Sequence, residues 1–291
     1  SLNMPMRSLS TRLSKTEAIC KAVYDRLLGV IEKYGGHMLA NYHTHTKRCQ
    51  HARGEDREYV ESAIAHGMKV LGFSDHCPWV FGDGYVSGTR MRPDQLDDYF
   101  RSLTELKREY SSDIKIYIGF EAEYIPELME AQDRLLADYP VDYMILGEHF
   151  TAREPYSPYT GFENDSEADF KRYIDIVIEG MESGRYKYVA HPDLYNFTGS
   201  SEVYDREYSR LCRYLKSKDI PVEINLLGVR EGRHYTSAKF LKIAAKVGNT
   251  AIIGCDAHTP SALSDTSPME KCVRLARQAG LELTDYIHGL D

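Results

Sequence analysis

The sequence predicts a single α/β barrel in which parallel strands are joined by crossover helices. Three observations carry that reading. The chain has 291 residues, about the length of one such barrel. Short apolar runs alternate with helical patterns along most of it, the order that a parallel sheet requires. Almost every apolar run also ends in a His, Asp or Glu, and the C-terminal strand ends of a barrel are where an active site is built.

In order along the chain, Leu13, Ile19, Val23, Leu27 and Val30 recur at helical spacing until Gly35 and Gly36 stop the pattern. Residues 1–36 are therefore read as an amphipathic helical extension that packs on a barrel end or serves as a dimer arm. Residues 37–291 form the barrel. Strands are expected at Met38–Tyr42, Val70–Phe73, Ile114–Phe120, Tyr143–Leu146, Tyr188–Ala190, Val222–Asn225 and Ala251–Cys255. Helices are expected at Asp56–His66, Pro93–Tyr110, Glu167–Glu182, Glu202–Lys218 and Ser237–Lys246. Two long connections, Cys77–Arg92 and Phe150–Asp165, follow strand ends and are rich in Gly, Pro, Tyr and Ser.

Composition excludes several classes. Lys and Arg number 36 against 44 Asp and Glu, a net charge of −8 that argues against a nucleic-acid partner. No stretch approaches the length of a membrane span, and the first residues carry no apolar signal segment. The six cysteines, Cys20, Cys49, Cys77, Cys212, Cys255 and Cys272, are scattered without a C-x-x-C pair, a pattern that suits a reducing cytoplasm. Cys49, Cys77 and Cys255 adjoin the strand-end cluster and are read as packing residues beside it.

That cluster is the informative feature. Strand one runs into His43-Thr44-His45, with His51 close behind, and strand two into Ser74-Asp75-His76. Strand three reaches Glu121, strand four Glu148-His149, strand five His191-Pro192-Asp193, and strand seven Asp256-Ala257-His258. Seven of the eleven histidines thus gather at one predicted mouth, while His37, His66, His234 and His288 supply the background. A lone strand-end His is ordinarily a surface or hydrogen-bonding residue. Seven with two carboxylates, Glu121 and Asp256, define a polynuclear metal site. Imidazole and carboxylate donors suit Zn, Mn, Fe or Co.

These residues, in this order, resemble the polymerase-and-histidinol-phosphatase (PHP) superfamily. Within it the chain resembles monofunctional histidinol-phosphate phosphatases through H-T-H-T-K-R-C-Q-H-A from His43, F-S-D-H-C-P from Phe73, G-F-E-A-E-Y from Gly119, T-R-M-R from Thr89 and E-I-N-L-L-G-V-R ending at Arg230. The resemblance implies a distorted (β/α)7 TIM-like barrel with three divalent transition-metal ions. It assigns His43, His45, Glu121 and Asp256 to the first ion. Glu121 bridges to a second ion on His149 and His191, and His51, His76 and His258 hold the third. Glu121, Asp256 and His258 are the candidate catalytic residues. Arg90, Arg92 and Arg230 are candidates for binding the phosphate and the rest of the substrate, because a guanidinium fork matches phosphate geometry. One departure is Glu148, which stands where the family pattern has a small residue before the fourth-strand His. Glu123, two residues beyond Glu121, is a second carboxylate whose place depends on how regular the strand is.

The implied activity is hydrolysis of a small phosphate monoester, L-histidinol phosphate first, by in-line attack of a hydroxide bridging two ions. Another small monoester or a nucleotide is the alternative substrate within the same superfamily. Amidohydrolase barrels also open with H-x-H and close with a strand-end Asp, but they do not need the His51, His76 and His258 set. A non-catalytic metal-binding module is disfavoured by the complete ligand sets. The sequence leaves the oligomeric state open.

Overall fold

The structure, a computed structural model, describes residues 38–290; the helix expected over residues 1–36 lies outside the described residues. Among the described residues there are seven strands: β1 Ala40–Asn41, β2 Val70–His76, β3 Lys115–Ala122, β4 Tyr143–Leu146, β5 Val222–Asn225, β6 Thr250–Gly254 and β7 Glu282–Leu283. All pairings are parallel, in the orders β1-β2-β3-β4 and β5-β6-β7. Single bridges join the two sheets. Val189 pairs with Leu146 on one side and Val222 on the other, and Thr44 pairs with Ala257. The result is the α/β TIM-like barrel, distorted at these two seams.

The strand expected at Tyr188–Ala190 is reduced to that bridge. Leu146 N–H donates to Tyr188 O and Ala190 N–H to Leu146 O before His191, at φ +32°, turns the chain out of the sheet. Helices α1 Asp56–Ala65, α2 Leu96–Glu109, α4 Glu167–Glu182, α5 Ser201–Ser217 and α7 Ala238–Val247 lie where the periodicity places them. Three of them start on serines, Ser166, Ser200 and Ser237, whose side chains accept the first free backbone N–H groups. Helices α3 Pro126–Leu136, α6 Leu226–Glu231 and α8 Thr266–Ala279, and the short β7, were not expected. Among the described residues no helix is long and apolar enough to cross a membrane.

The period-two alternation of the strands sorts side chains into two layers. On β3, Ile116, Ile118 and Phe120 face the helices in the main core, whereas Tyr117 lies in the barrel interior with Tyr42, Tyr143, Ile145, Tyr188 and Ile252. Two residues up the same row as Tyr117 comes Gly119, and then Glu121. The β2–β3 register sets His76 directly opposite Glu121. A floor of buried tyrosines and isoleucines therefore carries the row of site residues above it.

Candidate metal centre

Glu121, 1% exposed, is the hub of the site. Its Oε2 stands 3.4 Å from His43 Nε2, 3.4 Å from His45 Nε2 and 3.2 Å from His76 Nδ1. Its Oε1 stands 2.8 Å from His191 Nε2 and 3.4 Å from His149 Nε2. The two oxygens of one carboxylate thus face two separate groups of imidazoles. The room for this comes from Gly147, where any Cβ would overlap Glu121 Oε1 and lie 2.6 Å from its Cδ.

Asp256 closes the other side, with Oδ1 3.1 Å from His45 Nε2, 3.5 Å from His43 Nε2 and 3.4 Å from His258 Nδ1. Like His191 it holds a left-handed backbone, φ +49°. Such strain in a non-glycine residue persists only where its surroundings fix it, typically at functional sites. His51 sits at the exposed rim, its ring 5.2 Å from that of His76 and 4.7 Å from that of His258.

All nine expected ligands converge, but the tightest groupings differ in part from the expected sets. Donor atoms of His43, His45 and Glu121 lie within 4.8 Å of one another, as do those of His43, His191 and Asp256. On the far side His45, rather than His51, completes such a group with His76 and His258, while His51 and His258 group with Cys49. The donors fit metal ions by an independent criterion. His43 Nε2, both ring nitrogens of His45, Glu121 Oε2, His191 Nδ1 and His258 Nε2 are buried without a hydrogen-bond partner. Buried polar atoms are normally paired, so this set of orphans distributed around Glu121 and Asp256 fits side chains that hold cations.

The electrostatics agree. Burial opposes charge on Glu121, yet His149, His43 and His76 hold its carboxyl well below the usual range. The same opposition at Asp256 is overcome by His43, His45 and His258. Burial would lower His43, but Glu223, Asp256 and Glu121 raise it well above its ordinary value. His76 and His258, where burial and the neighbouring His45 act together, are pushed down, His258 to about 3.

Around this ring lies a set of carboxylates whose roles the sequence did not disclose. Glu223, fully buried on β5, accepts from His43 Nδ1 at 2.8 Å, Tyr188 OH at 3.2 Å, His191 N–H at 2.6 Å and Asn225 Nδ2 at 3.1 Å. Gly254 leaves the space for it, since a Cβ there would overlap Glu223 Oε1. Glu123 lies one step out from the ring, 3.1 Å from His149 Nδ1. Asp75 takes hydrogen bonds from the Thr46 hydroxyl and, at 2.9 Å, from His76 N–H. A charged residue inside an otherwise apolar strand, as in V-E-I-N, was the available signal for Glu223.

Glu148 points away from the ring. Its Oε2 accepts from Tyr124 N–H at 2.9 Å, and burial pushes its carboxyl well above the usual range. Burial raises the thiols of Cys49, Cys77 and Cys255 alike.

The ring floors a cleft of about 480 Å³. Its walls include Tyr159, Tyr235 and Phe150, and Arg53, Arg230, Glu231 and Arg233 also line it. Arg230 stands at the end of α6, which Asn225 caps by accepting from Gly228 N–H at 2.9 Å. Arg92 is absent from the lining and pairs with Asp94 at 3.0 Å on the surface. Arg90 reaches the cleft wall, but its guanidinium is buried between Glu123 and Glu154. Arg53, Arg233, Tyr159 and Tyr235 were not singled out from sequence, because nothing local marks them as facing the mouth.

Fold and site together define a TIM-like α/β barrel with clustered His, Asp and Glu side chains that fit metal ions at the C-terminal ends of its strands. A model of the PHP domain matches residues 41–226. The chain belongs to the PHP domain family.

Among curated proteins it is 26% identical over 232 residues to a probable histidinol-phosphatase of Deinococcus radiodurans, covering 76% of this chain and 87% of that one. It is 24% identical to the histidinol-phosphatase of Bacillus subtilis, covering 74% and 92% respectively. Among solved structures, histidinol phosphate phosphatase from Lactococcus lactis, complexed with Zn, L-histidinol and phosphate, superposes with a TM-score of 0.64 at 20% identity, covering 84% of this chain and 95% of that one. That likeness establishes the fold.

Proposed function

We propose that this protein is a metal-dependent phosphomonoesterase that hydrolyses L-histidinol phosphate to L-histidinol and phosphate. The observation that carries the reading is Glu121, a buried carboxylate whose two oxygens face different groups of histidines, as a ligand shared between ions must. The names of the relatives support the substrate. Three ions are assigned: the first to His43, His45, Glu121 and Asp256, the second to Glu121, His149 and His191, the third to His51, His76 and His258. Zn, Mn, Fe and Co all suit these donors, and Zn in the Lactococcus lactis protein favours Zn.

Bound ions of this kind neutralise phosphoryl oxygens and acidify water. The chain's own residues do the rest. Arg230, with Arg53 beside it in the lining, binds the phosphate from the rim. Tyr159, Tyr235 and Phe150 enclose the leaving alcohol and exclude water from it. Hydrolysis joins a water oxygen to phosphorus, breaks the ester P–O bond and delivers a proton to the alcohol oxygen. Asp256, held ionised beside His45 and His258, is assigned to take the attacking water's proton and pass it to the alcohol oxygen. The five described cysteines are free and buried, consistent with a cytoplasmic enzyme.

The test is phosphate release from L-histidinol phosphate and a panel of sugar and nucleoside monophosphates, with metal per chain measured in the same sample. The expected kcat/KM for histidinol phosphate is within about 10⁴–10⁸ M⁻¹ s⁻¹. A better rate on another monoester would replace the substrate and keep the chemistry. Full metal with no hydrolysis of any monoester would remove the enzyme.

A further inference from the structure

Arg90 is one of the arginines that the sequence resemblance offers to substrate, and its surroundings argue otherwise. It is 4% exposed. Nη1 and Nη2 each donate to one oxygen of Glu123 at 3.0 Å, a bidentate fork. Nε donates to Glu154 Oε2 at 2.8 Å, Nη2 lies 2.7 Å from the same oxygen, and Nη1 also reaches Cys77 O at 3.3 Å. Every guanidinium nitrogen therefore has a partner within the protein. Two carboxylates already balance its single charge.

Glu123 is equally committed. Besides the fork it accepts from Trp79 Nε1 at 3.1 Å and faces His149 Nδ1 at 3.1 Å. The Arg90 fork and Trp79 Nε1 donate to both oxygens of Glu123, so the carboxylate presents an acceptor to His149. An acceptor at Nδ1 places that proton on Nδ1 and leaves the His149 Nε2 lone pair free, 3.4 Å from Glu121 Oε1. A carboxylate behind a ligating histidine fixes the ring's tautomer and orientation.

The clamp also ties the two long connections to this ligand. Arg90, Trp79 and Ser87 come from the first connection and Glu154 from the second. Ser87 Oγ reinforces the junction with a 3.1 Å bond to Glu154 Oε1.

We propose that the Glu154–Arg90–Glu123 chain is a positioning device for His149, setting the affinity of the ion shared by Glu121, His149 and His191, and that Arg90 does not bind substrate. The proposal rests on the reading of the histidine ring as a metal centre.

The experiment strips metal from the full chain and titrates Zn²⁺ alone against a chromophoric chelator, for wild type, Glu123→Gln, Glu154→Gln, Arg90→Lys and the charge-neutral double variant Arg90→Met/Glu123→Gln. Folding of each is checked by circular dichroism. The double variant removes one charge of each sign but leaves buried Glu154 with only Ser87 Oγ, so Glu123→Gln, which keeps Arg90 paired with Glu154, supplies the folded sample and carries the same outcomes if the double variant fails.

One class of Zn²⁺ site in Glu123→Gln and in the double variant is expected to weaken about 10–100-fold, with a smaller loss in Glu154→Gln. At saturating Zn²⁺, KM for histidinol phosphate in Arg90→Lys is expected to stay at the wild-type value while kcat falls. Wild-type Zn²⁺ affinity in the folded double variant would overturn the proposal. So would Arg90→Lys with unchanged Zn²⁺ binding and a KM raised tenfold or more, which would return Arg90 to the substrate. Wild type that binds no Zn²⁺ would instead overturn the metal reading beneath it.

Discussion

Glu223 offers the sharpest test of how the ring is organised, through the substitution Glu223→Gln. The side chain is fully buried and accepts four hydrogen bonds, from His43 Nδ1, Tyr188 OH, His191 N–H and Asn225 Nδ2. Glutamine keeps the shape but exchanges one acceptor oxygen for an NH₂ donor. If that NH₂ faces His43, the imidazole must accept at Nδ1, which moves its proton to Nε2. That nitrogen lies 3.4 Å from Glu121 and 3.5 Å from Asp256, on the side where a ligand must present a lone pair. If the NH₂ faces the other way, His191 N–H and Asn225 Nδ2 meet a donor and lose their partner. Either arrangement leaves a buried group mismatched, at roughly 1–3 kcal/mol. Every 1.4 kcal/mol is about tenfold in an equilibrium constant, so Zn²⁺ affinity should fall roughly 10–100-fold. Chelator competition on metal-stripped protein measures it, with circular dichroism confirming the fold. An affinity within about twofold of wild type would show that His43 does not depend on Glu223 for its tautomer.

Three further outcomes are expected. Arg230→Ala should raise KM for the phosphate monoester about tenfold or more, because it lines the cleft, whereas Arg92→Ala, paired with Asp94 on the surface, should leave both kinetic constants near wild type; equal effects would contradict the placement of these arginines. Zn²⁺ affinity should fall with acid: in the metal-free ring His45 is raised to about 9, burial being overcome by Asp256 and Asp75, so below about 9 each displaced proton costs roughly tenfold in affinity per pH unit, and a flat pH profile of Zn²⁺ binding would refute this. Phe170→Ala, a fully buried ring stacked on Phe197 at 4.6 Å and Tyr195 at 5.2 Å, should lower stability by about 3–5 kcal/mol in urea unfolding of metal-free protein; a loss under about 1 kcal/mol would mean the cluster repacks.

How legible each element was in the sequence follows from what its packing asks of the residues. β4 lies on the expected residues because its run is apolar on both faces, and β5 because Val222 and Ile224 supply one apolar face. Helix α8 was missed because the face it buries consists of Pro268, Met269, Cys272 and Ala276, which give little aliphatic periodicity. Helix α3 buries only Leu128, Met129 and Gln132 and begins on a proline, so it read as loop. The fifth strand was placed correctly in sequence, but only Val189 pairs on both sides before His191 bends away.

The site divides along a similar line. His, Asp and Glu are scarce at the ends of apolar strands, so the nine ring residues were visible jointly, though not singly, and their convergence followed from the barrel. What surrounds them was not visible, because an orienting carboxylate needs only to lie behind a histidine and can come from any element. Glu123 and Glu121 show the distinction within one strand end: two residues apart, one reaches five histidines and the other turns its oxygens to Arg90, Trp79 and His149 Nδ1. Arg90 inherits its role from that turn. In sequence it is a loop arginine beside an active site, equally suited to phosphate or to carboxylate. In the fold its partners come from the residue just beyond β3 and from the second long connection, one in reach of the ring and one not. On the proposal above that guanidinium orients His149, and the arginines that line the cleft without such a clamp are the ones left to face a ligand.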